Sequence, residues 1–180
     1  MIGEMLEAAF ERDPKRLAFT FARYKFVAKM LRGSKRVLEI GADSGFMARV
    51  VEQGGCEVTR TDIKGGVDYT KAHLLPAFDA VYALDVLEHV EAEDAFMSNI
   101  CASLTPYGTC IIGMPSLESQ RYATEQKAHV NCKTEEGLAG LMGKYFHCLY
   151  LFGMNDEALH TGFGPMTHYR LAIGNTKRVK

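Results

Sequence analysis

Short apolar runs alternate with helical patterns along this chain, and that alternation narrows the fold more than any other feature. Arg36–Ile40, Glu57–Thr61, 78–83 and 109–114 read as strands. The stretches between them hold helical spacing or glycine turns, so these strands are not joined as hairpins. Helices carry the chain back across a parallel sheet and cover both of its faces. The first helix is expected over 14–32, with Pro14 in its first turn and Leu17, Phe21, Tyr24, Ala28 and Leu31 forming an apolar stripe that Gly33 closes. Further helices are expected over 44–53, 91–104 and 134–145. A short strand is expected over 65–69, strands near 146–152 and 166–173 finish the sheet, and 175–180 reads as a frayed polar tail.

With 180 residues, no internal repeat and no interdomain linker, one domain is expected. A composition of 47% hydrophobic and 24% charged residues excludes a disordered chain. Twenty-one Lys and Arg balance 22 Asp and Glu, which argues against bulk electrostatic binding to nucleic acid or membrane. No run approaches the roughly 20 apolar residues of a membrane helix, and no basic segment precedes an apolar one at the N-terminus. The five Cys are odd in number, with none in a CxxC pair or near a His at zinc-ligand spacing. They read as reduced thiols of a cytoplasmic protein, and no metal site is expected.

The turn after the first strand, Glu39-Ile40-Gly41-Ala42-Asp43-Ser44-Gly45-Phe46, places glycines where a helix start would present free N–H groups. Glycine there lets backbone approach a ligand closely. Asp62 lies 23 positions beyond Glu39 (62 − 39), at the tip of the adjacent strand. A carboxylate at that tip accepts hydrogen bonds from two ribose hydroxyls, so a nucleoside-containing cofactor is expected. A dinucleotide fingerprint needs three glycines, and counted from Gly41 its places hold Gly41, Asp43 and Phe46. Phe46 would block the pyrophosphate, which argues against a dehydrogenase.

Glu39, Gly41 and Gly45, an acid followed by glycines at +2 and +6, resemble motif I of the class I S-adenosylmethionine-dependent methyltransferases. Asp62 matches that family's ribose-binding acid. Phe78-Asp79-Ala80-Val81-Tyr82-Ala83-Leu84-Asp85-Val86-Leu87-Glu88-His89-Val90 is similar to the fourth-strand signature of the small-molecule members, the ubiquinone/menaquinone type among them. Leu104-Thr105-Pro106-Tyr107-Gly108-Thr109 resembles their L-x-P-G-G turn, and His129-Val130-Asn131-Cys132-Lys133-Thr134 resembles an H-x-N-x-x-T helix entry seen in polysaccharide-pathway methyltransferases. The resemblance covers roughly 36–114 and implies an α/β, Rossmann-like fold. Its seven-stranded sheet would be mostly parallel with an antiparallel last strand and helices on both faces. It divides the domain into an N-terminal helical segment (1–33), a cofactor half (34–114), a substrate-side half (115–174) and the tail (175–180).

S-adenosylmethionine is the implied cofactor, held by Glu39, Gly41, Ala42, Asp43 and Gly45 on one strand tip and by Asp62, Ile63 and Asp85 on its neighbours. Asp43 replaces the family's middle glycine. It serves either as a turn or cap residue or as a carboxylate meeting the cationic end of the cofactor. Methyl transfer is an in-line displacement at a carbon activated by positive sulfur, so the protein supplies mainly positioning and, for a hydroxyl acceptor, a base. The catalytic candidates are His89, which has a suitable pKa range or else packs beside the cofactor, and His129, a substrate contact or a structural hydrogen-bonding group. Glu88 reads as an ordinary helix-start charge.

Asp68, Tyr69 or the 71–74 segment are placed beside the adenine. The 115–131 stretch, with Arg121 and Tyr122, reads as a lid, and 155–163 as a hairpin loop or the border of the acceptor pocket. Lys25, Lys29, Arg32 and Arg36 are read as one basic helical face, either a solvated flank or a site for an anionic acceptor such as a phosphorylated or nucleotide-linked sugar, or for RNA. The lack of an aromatic-interleaved basic module argues against RNA. The resulting expectation is O-methylation of a small molecule, with a noncatalytic methyltransferase-like binding module as the alternative.

Overall fold

The computed structural model describes residues 11–74, 77–119, 129–161 and 166–178. Its seven strands are β1 (Arg36–Ile40), β2 (Glu57–Thr61), β3 (Phe78–Leu84), β4 (Leu104–Pro115), β5 (Phe146–Asn155), β6 (Ala158–His160) and β7 (Tyr169–Lys177), with helices α1 (Pro14–Met30), α2 (Ala48–Glu52), α3 (Glu93–Ser103) and α4 (Glu135–Gly143). The sheet order is β2-β1-β3-β4-β7-β5-β6. Strands β2, β1, β3 and β4 run parallel. β7 inserts antiparallel between β4 and β5, and β6 is antiparallel to β5.

Alternation along the strands sorts side chains into two cores. Leu38, Ile40, Val81, Ala83, Ile112 and Met114 pack with Phe96, Met97 and Ile100 of α3 and with Leu138, Leu141 and Met142 of α4. Val37, Ala80, Tyr82, Leu84 and Ile111 pack on the other face with Phe26 and Val27 of α1 and with Ala48 and Val51 of α2. The strands are hydrophobic on both sides because helices cover both faces of the sheet.

Several sequence expectations need correction. No strand forms at 65–69. Asp62 accepts from the Lys64 N–H to start a one-turn helix at Ile63–Gly65, and Tyr69 turns into the core with its hydroxyl on Ser103. The seventh strand is instead β6, within a segment expected to be loop. Its hairpin turns at Asp156, whose φ of 54° is left-handed.

The helix expected over 44–53 shrinks to α2, which begins only at Ala48 and has no side-chain cap. The expected tail is strand through Lys177, whose ammonium donates to the Cys101 and Leu104 carbonyls at the end of α3. The Thr105–Gly108 turn is absorbed into a bulged β4. α1 ends at Met30, and Phe26 and Val27 are its buried residues, whereas Leu17, Phe21, Tyr24 and Ala28 of the expected stripe are only half-buried. Arg36 belongs to β1, so the basic residues do not form one helical face.

Candidate functional site

Parallel strands β1, β2 and β3 end together, and their loops open a crevice at the carboxyl edge of the sheet, the usual ligand position in open α/β folds. The β1 bend is stitched to β2. Gly41 N and Ala42 N both donate to the Thr61 carbonyl, at 2.8 and 3.0 Å, and the Thr61 hydroxyl donates back to the Glu39 carbonyl. Asp43 N donates to Asp62 Oδ2 at 3.1 Å, so the strand-two acid sits directly on the glycine bend. Gly41 has φ 79°, and a Cβ there would collide with Val86; one on Gly45 would lie 2.8 Å from Arg60 Cδ. The N–H groups of the bend are thus mostly engaged within the protein rather than offered by a helix start.

Asp43 occupies left-handed backbone at φ 44°, and its exposed carboxylate accepts from Lys64 Nζ at 2.7 Å, which lowers its pKa. Ile63, 68% exposed, stands beside Asp62 as an open apolar surface. Glu39 lies beneath the bend, buried, with Oε1 accepting from the Tyr24 hydroxyl at 2.7 Å. Burial raises its carboxyl pKa against the pull of that hydrogen bond, and burial with the Glu39 charge drives the Tyr24 phenol far up. Of the suggested adenine neighbours, Tyr69 is core, and Asp68 is spent on Thr70 and Lys71, bonds that pull its carboxyl down to about 2.

The tip of β3 forms the other wall. Asp85 is left-handed at φ 56°, donates its N–H to the Gly113 carbonyl, and pairs with Arg23 Nη1 at 3.0 Å. The Arg23 guanidinium lies 3.6 Å from the Tyr169 ring centroid. Val86 then leads into a single turn at Leu87–His89, where Glu88 is 1% exposed and Oε2 finds no hydrogen-bond partner among the described residues. Burial, reinforced by the Asp85 charge, pushes the Glu88 carboxyl up to about 8. The rings of His89 and His129 meet edge to face with centroids 4.9 Å apart.

Asn131 holds the two segments together. Its N–H donates to the Glu88 carbonyl at 3.0 Å, and its side-chain amide donates to the Val90 carbonyl at 2.9 Å. Lys133 braces the same corner through Glu93 at 2.6 Å, and Thr134 caps α4 by accepting from Gly137 N. Arg121 and Tyr122 lie outside the described residues, as does most of the expected lid.

Of the residues assigned to the site from sequence, Gly41, Ala42 and Asp43 are hydrogen-bonded to Thr61 and Asp62, Gly41 abuts Val86 next to Asp85, His89 meets His129, and Glu39 is buried at the end of β1. Arg23 and Tyr24 were missed as neighbours of the site, because a stripe on a distant helix gives no sign of which strand tip it meets. Glu88 does sit at a helix start, in the Leu87–His89 turn, but its burial there was not legible in the sequence.

An acid bonded to a glycine bend at the carboxyl edge of a Rossmann-like sheet is the position of a nucleoside-containing cofactor, as the resemblance to the class I S-adenosylmethionine-dependent methyltransferases implied. The methyltransferase domain family matches residues 10–145, and this chain belongs to it. The ubiquinone biosynthesis O-methyltransferase of Alkalilimnicola ehrlichii is 30% identical over 114 residues. That match covers 50% of this chain and 46% of the relative, so it spans less than half of the latter's length.

The solved 1,6-didemethyltoxoflavin-N1-methyltransferase of Burkholderia thailandensis shares the fold with a TM-score of 0.68 at 15% identity, over 98% of this chain and 87% of that one. An S-adenosylmethionine-dependent methyltransferase of Thermotoga maritima does so with a TM-score of 0.62 at 18% identity, over 97% of both chains. The cofactor of the family is S-adenosylmethionine. Among the described residues no helix is long and apolar enough to cross a membrane.

Proposed function

We propose that this chain, acting as a single methyltransferase domain, moves the methyl group of S-adenosylmethionine onto a hydroxyl of a small molecule. The observation that carries the reading is the 3.1 Å hydrogen bond from Asp43 N to Asp62. It fixes the ribose-type acid beside a bend too tight for any residue but glycine at position 41. Asp62 takes the ribose hydroxyls, Ile63 covers the adenine, and Gly41, Ala42, Asp43 and Gly45 frame the amino-acid portion. Glu39 supports the bend from below, and Asp85 faces the methionine end. His89 and His129, one on each segment of the second wall, face the acceptor hydroxyl.

Oxygen is favoured as the nucleophile by the likeness to an O-methyltransferase, and a sugar or sugar-linked metabolite by the H-x-N-x-x-T resemblance. The basic residues lend an anionic acceptor no support, since Arg36 lies in β1 and they do not share one helical face. Five free thiols are compatible with a cytoplasmic setting.

Calorimetric titration with S-adenosylhomocysteine tests the reading. The native chain should bind, and Asp62→Ala should weaken binding at least about tenfold, the equivalent of 1.4 kcal/mol. No binding of S-adenosylhomocysteine or S-adenosylmethionine would overturn it. Label transferred from methyl-labelled cofactor to a hydroxylated acceptor panel, against amine analogues, then decides the nucleophile.

A further inference from the structure

Beside the cofactor cradle lies a cluster that methyl transfer as described does not fully use. One ligand atom each from Glu88, His89 and His129 lies within 4.8 Å of the others. Glu88 and His89 share the Leu87–His89 turn, and His129 arrives from a segment some forty residues later in the chain (129 − 89). Backbone and side-chain hydrogen bonds from Asn131 to the Glu88 and Val90 carbonyls hold the two segments in register. The carboxylate is 99% removed from solvent (100 − 1), yet Oε2 has no hydrogen-bond partner among the described residues. A buried carboxylate oxygen without a donor is costly and is ordinarily compensated by a cation or a hydrogen bond. The positive side chains nearby are already committed: Arg23 to Asp85, and Lys133 to Glu93.

We propose that Glu88, His89 and His129 bind one first-row divalent cation, of the zinc, cobalt or manganese kind, at the acceptor side of the crevice. Two imidazole nitrogens and one carboxylate suit these ions better than magnesium or calcium, which favour all-oxygen shells. Ligand atoms at about 2.0–2.2 Å from one ion stand roughly 3–4 Å apart. The 4.8 Å limit therefore requires only a side-chain adjustment of about an ångström. Three protein ligands leave a coordination position open, the arrangement of reactive rather than structural sites.

What the ion does there rests on the methyl-transfer reading; its binding does not. An acceptor hydroxyl in the open position becomes more acidic. Its O–H bond breaks with the proton passing to solvent, and the oxygen attacks the methyl carbon. The C–O bond forms as the C–S bond breaks, and the sulfonium leaves as a neutral thioether.

The test uses the full chain after chelator treatment and dialysis. Titration with Co²⁺, followed by visible absorption, and with Zn²⁺, followed by calorimetry, should give one ion per chain. Glu88→Gln and His129→Ala should each weaken uptake at least about tenfold, the scale at which metal sites respond to lost support. Cys132→Ser should leave it unchanged. Should Glu88→Gln fail to fold, His129→Ala on the other segment carries the same reading.

The proposal is overturned by no saturable uptake of either ion, by uptake that survives both ligand changes, or by uptake lost in Cys132→Ser. S-adenosylhomocysteine is titrated in parallel with chelator present. Cofactor binding without metal uptake overturns this inference alone, and metal uptake without cofactor binding overturns the functional reading alone.

Discussion

The two walls of the crevice treat their acidic residues in opposite ways. At the tip of β2, Asp62 takes N–H donors from Asp43 and Lys64, and Asp43 itself is answered by the Lys64 ammonium. All these partners come from the adjoining loops, and the acids remain in reach of water. At the tip of β3, Glu88 is sealed in, with one oxygen unanswered among the described residues, beside two imidazoles of which one is delivered by a remote segment. The first wall is complete in its own short-range hydrogen bonding and carries a motif. The second is assembled over long range and is electrostatically unfinished. A carboxylate satisfied by its neighbours can wait for a neutral hydroxyl, whereas one buried without a donor is suited to bind positive charge or a proton.

Four measurements press on that contrast, beginning with the largest effect. In chelator-treated protein the folded-state pKa of Glu88, about 8, lies above the ordinary 4.5. The native chain then holds a proton that the unfolded chain has released, so this group's contribution to stability is full below about 4.5 and is lost as pH rises through 8. The loss should amount to several kcal/mol in denaturant titrations, and Glu88→Gln should flatten the slope; a native slope no steeper than the variant's breaks the contrast.

Next comes Arg170, 3% exposed, which ties Glu118 after β4 to Glu135 at the start of α4. Arg170→Met should cost about 2–3 kcal/mol in thermal unfolding, because the charged hydrogen bonds that join β7 to the end of β4 and the start of α4 are lost. Equivalent cuts at the first wall should cost less. Asp62→Asn should change stability by under about 1 kcal/mol while reducing S-adenosylhomocysteine affinity roughly tenfold. The smallest effect belongs to Asp68, whose carboxyl is pulled to about 2 by Thr70 and Lys71. Its depressed pKa means the contribution is present above about 4 and disappears as pH falls through 2. Asp68→Asn should therefore lower the melting temperature slightly at pH 7 and not at pH 2.

The same contrast explains which parts of the molecule were legible in sequence. β1, β2 and the bend between Gly41 and Asp62 were readable because their residue types are demanded by backbone geometry. Thr134 was readable as a cap for the same reason. The supposed strand at 65–69 misled because an apolar Val67 and Tyr69 alternate with polar residues, while Asp62 and Asp68 offer side-chain acceptors that close local turns instead. β6 was hidden because three residues are too few for a pattern, and its hairpin depends on Asp156 adopting a left-handed turn. The contact of Arg23 with Asp85 and Tyr169 joins three elements far apart in sequence, and no spacing rule announces it.

The antiparallel insertion of β7 has a consequence for how the molecule is made. A nascent chain emerging from the ribosome can pair β1 through β4 as each appears, but the β5–β6 hairpin has no seat in the sheet until 169–177 follows it out. Synthesis therefore leaves the β4 edge open until β7 has emerged, with a ready template for wrong partners. Closure by β7 joins both parts of the sheet in a single step, so changes that weaken this strand should surface as aggregation during expression before they surface as lost affinity for any ligand.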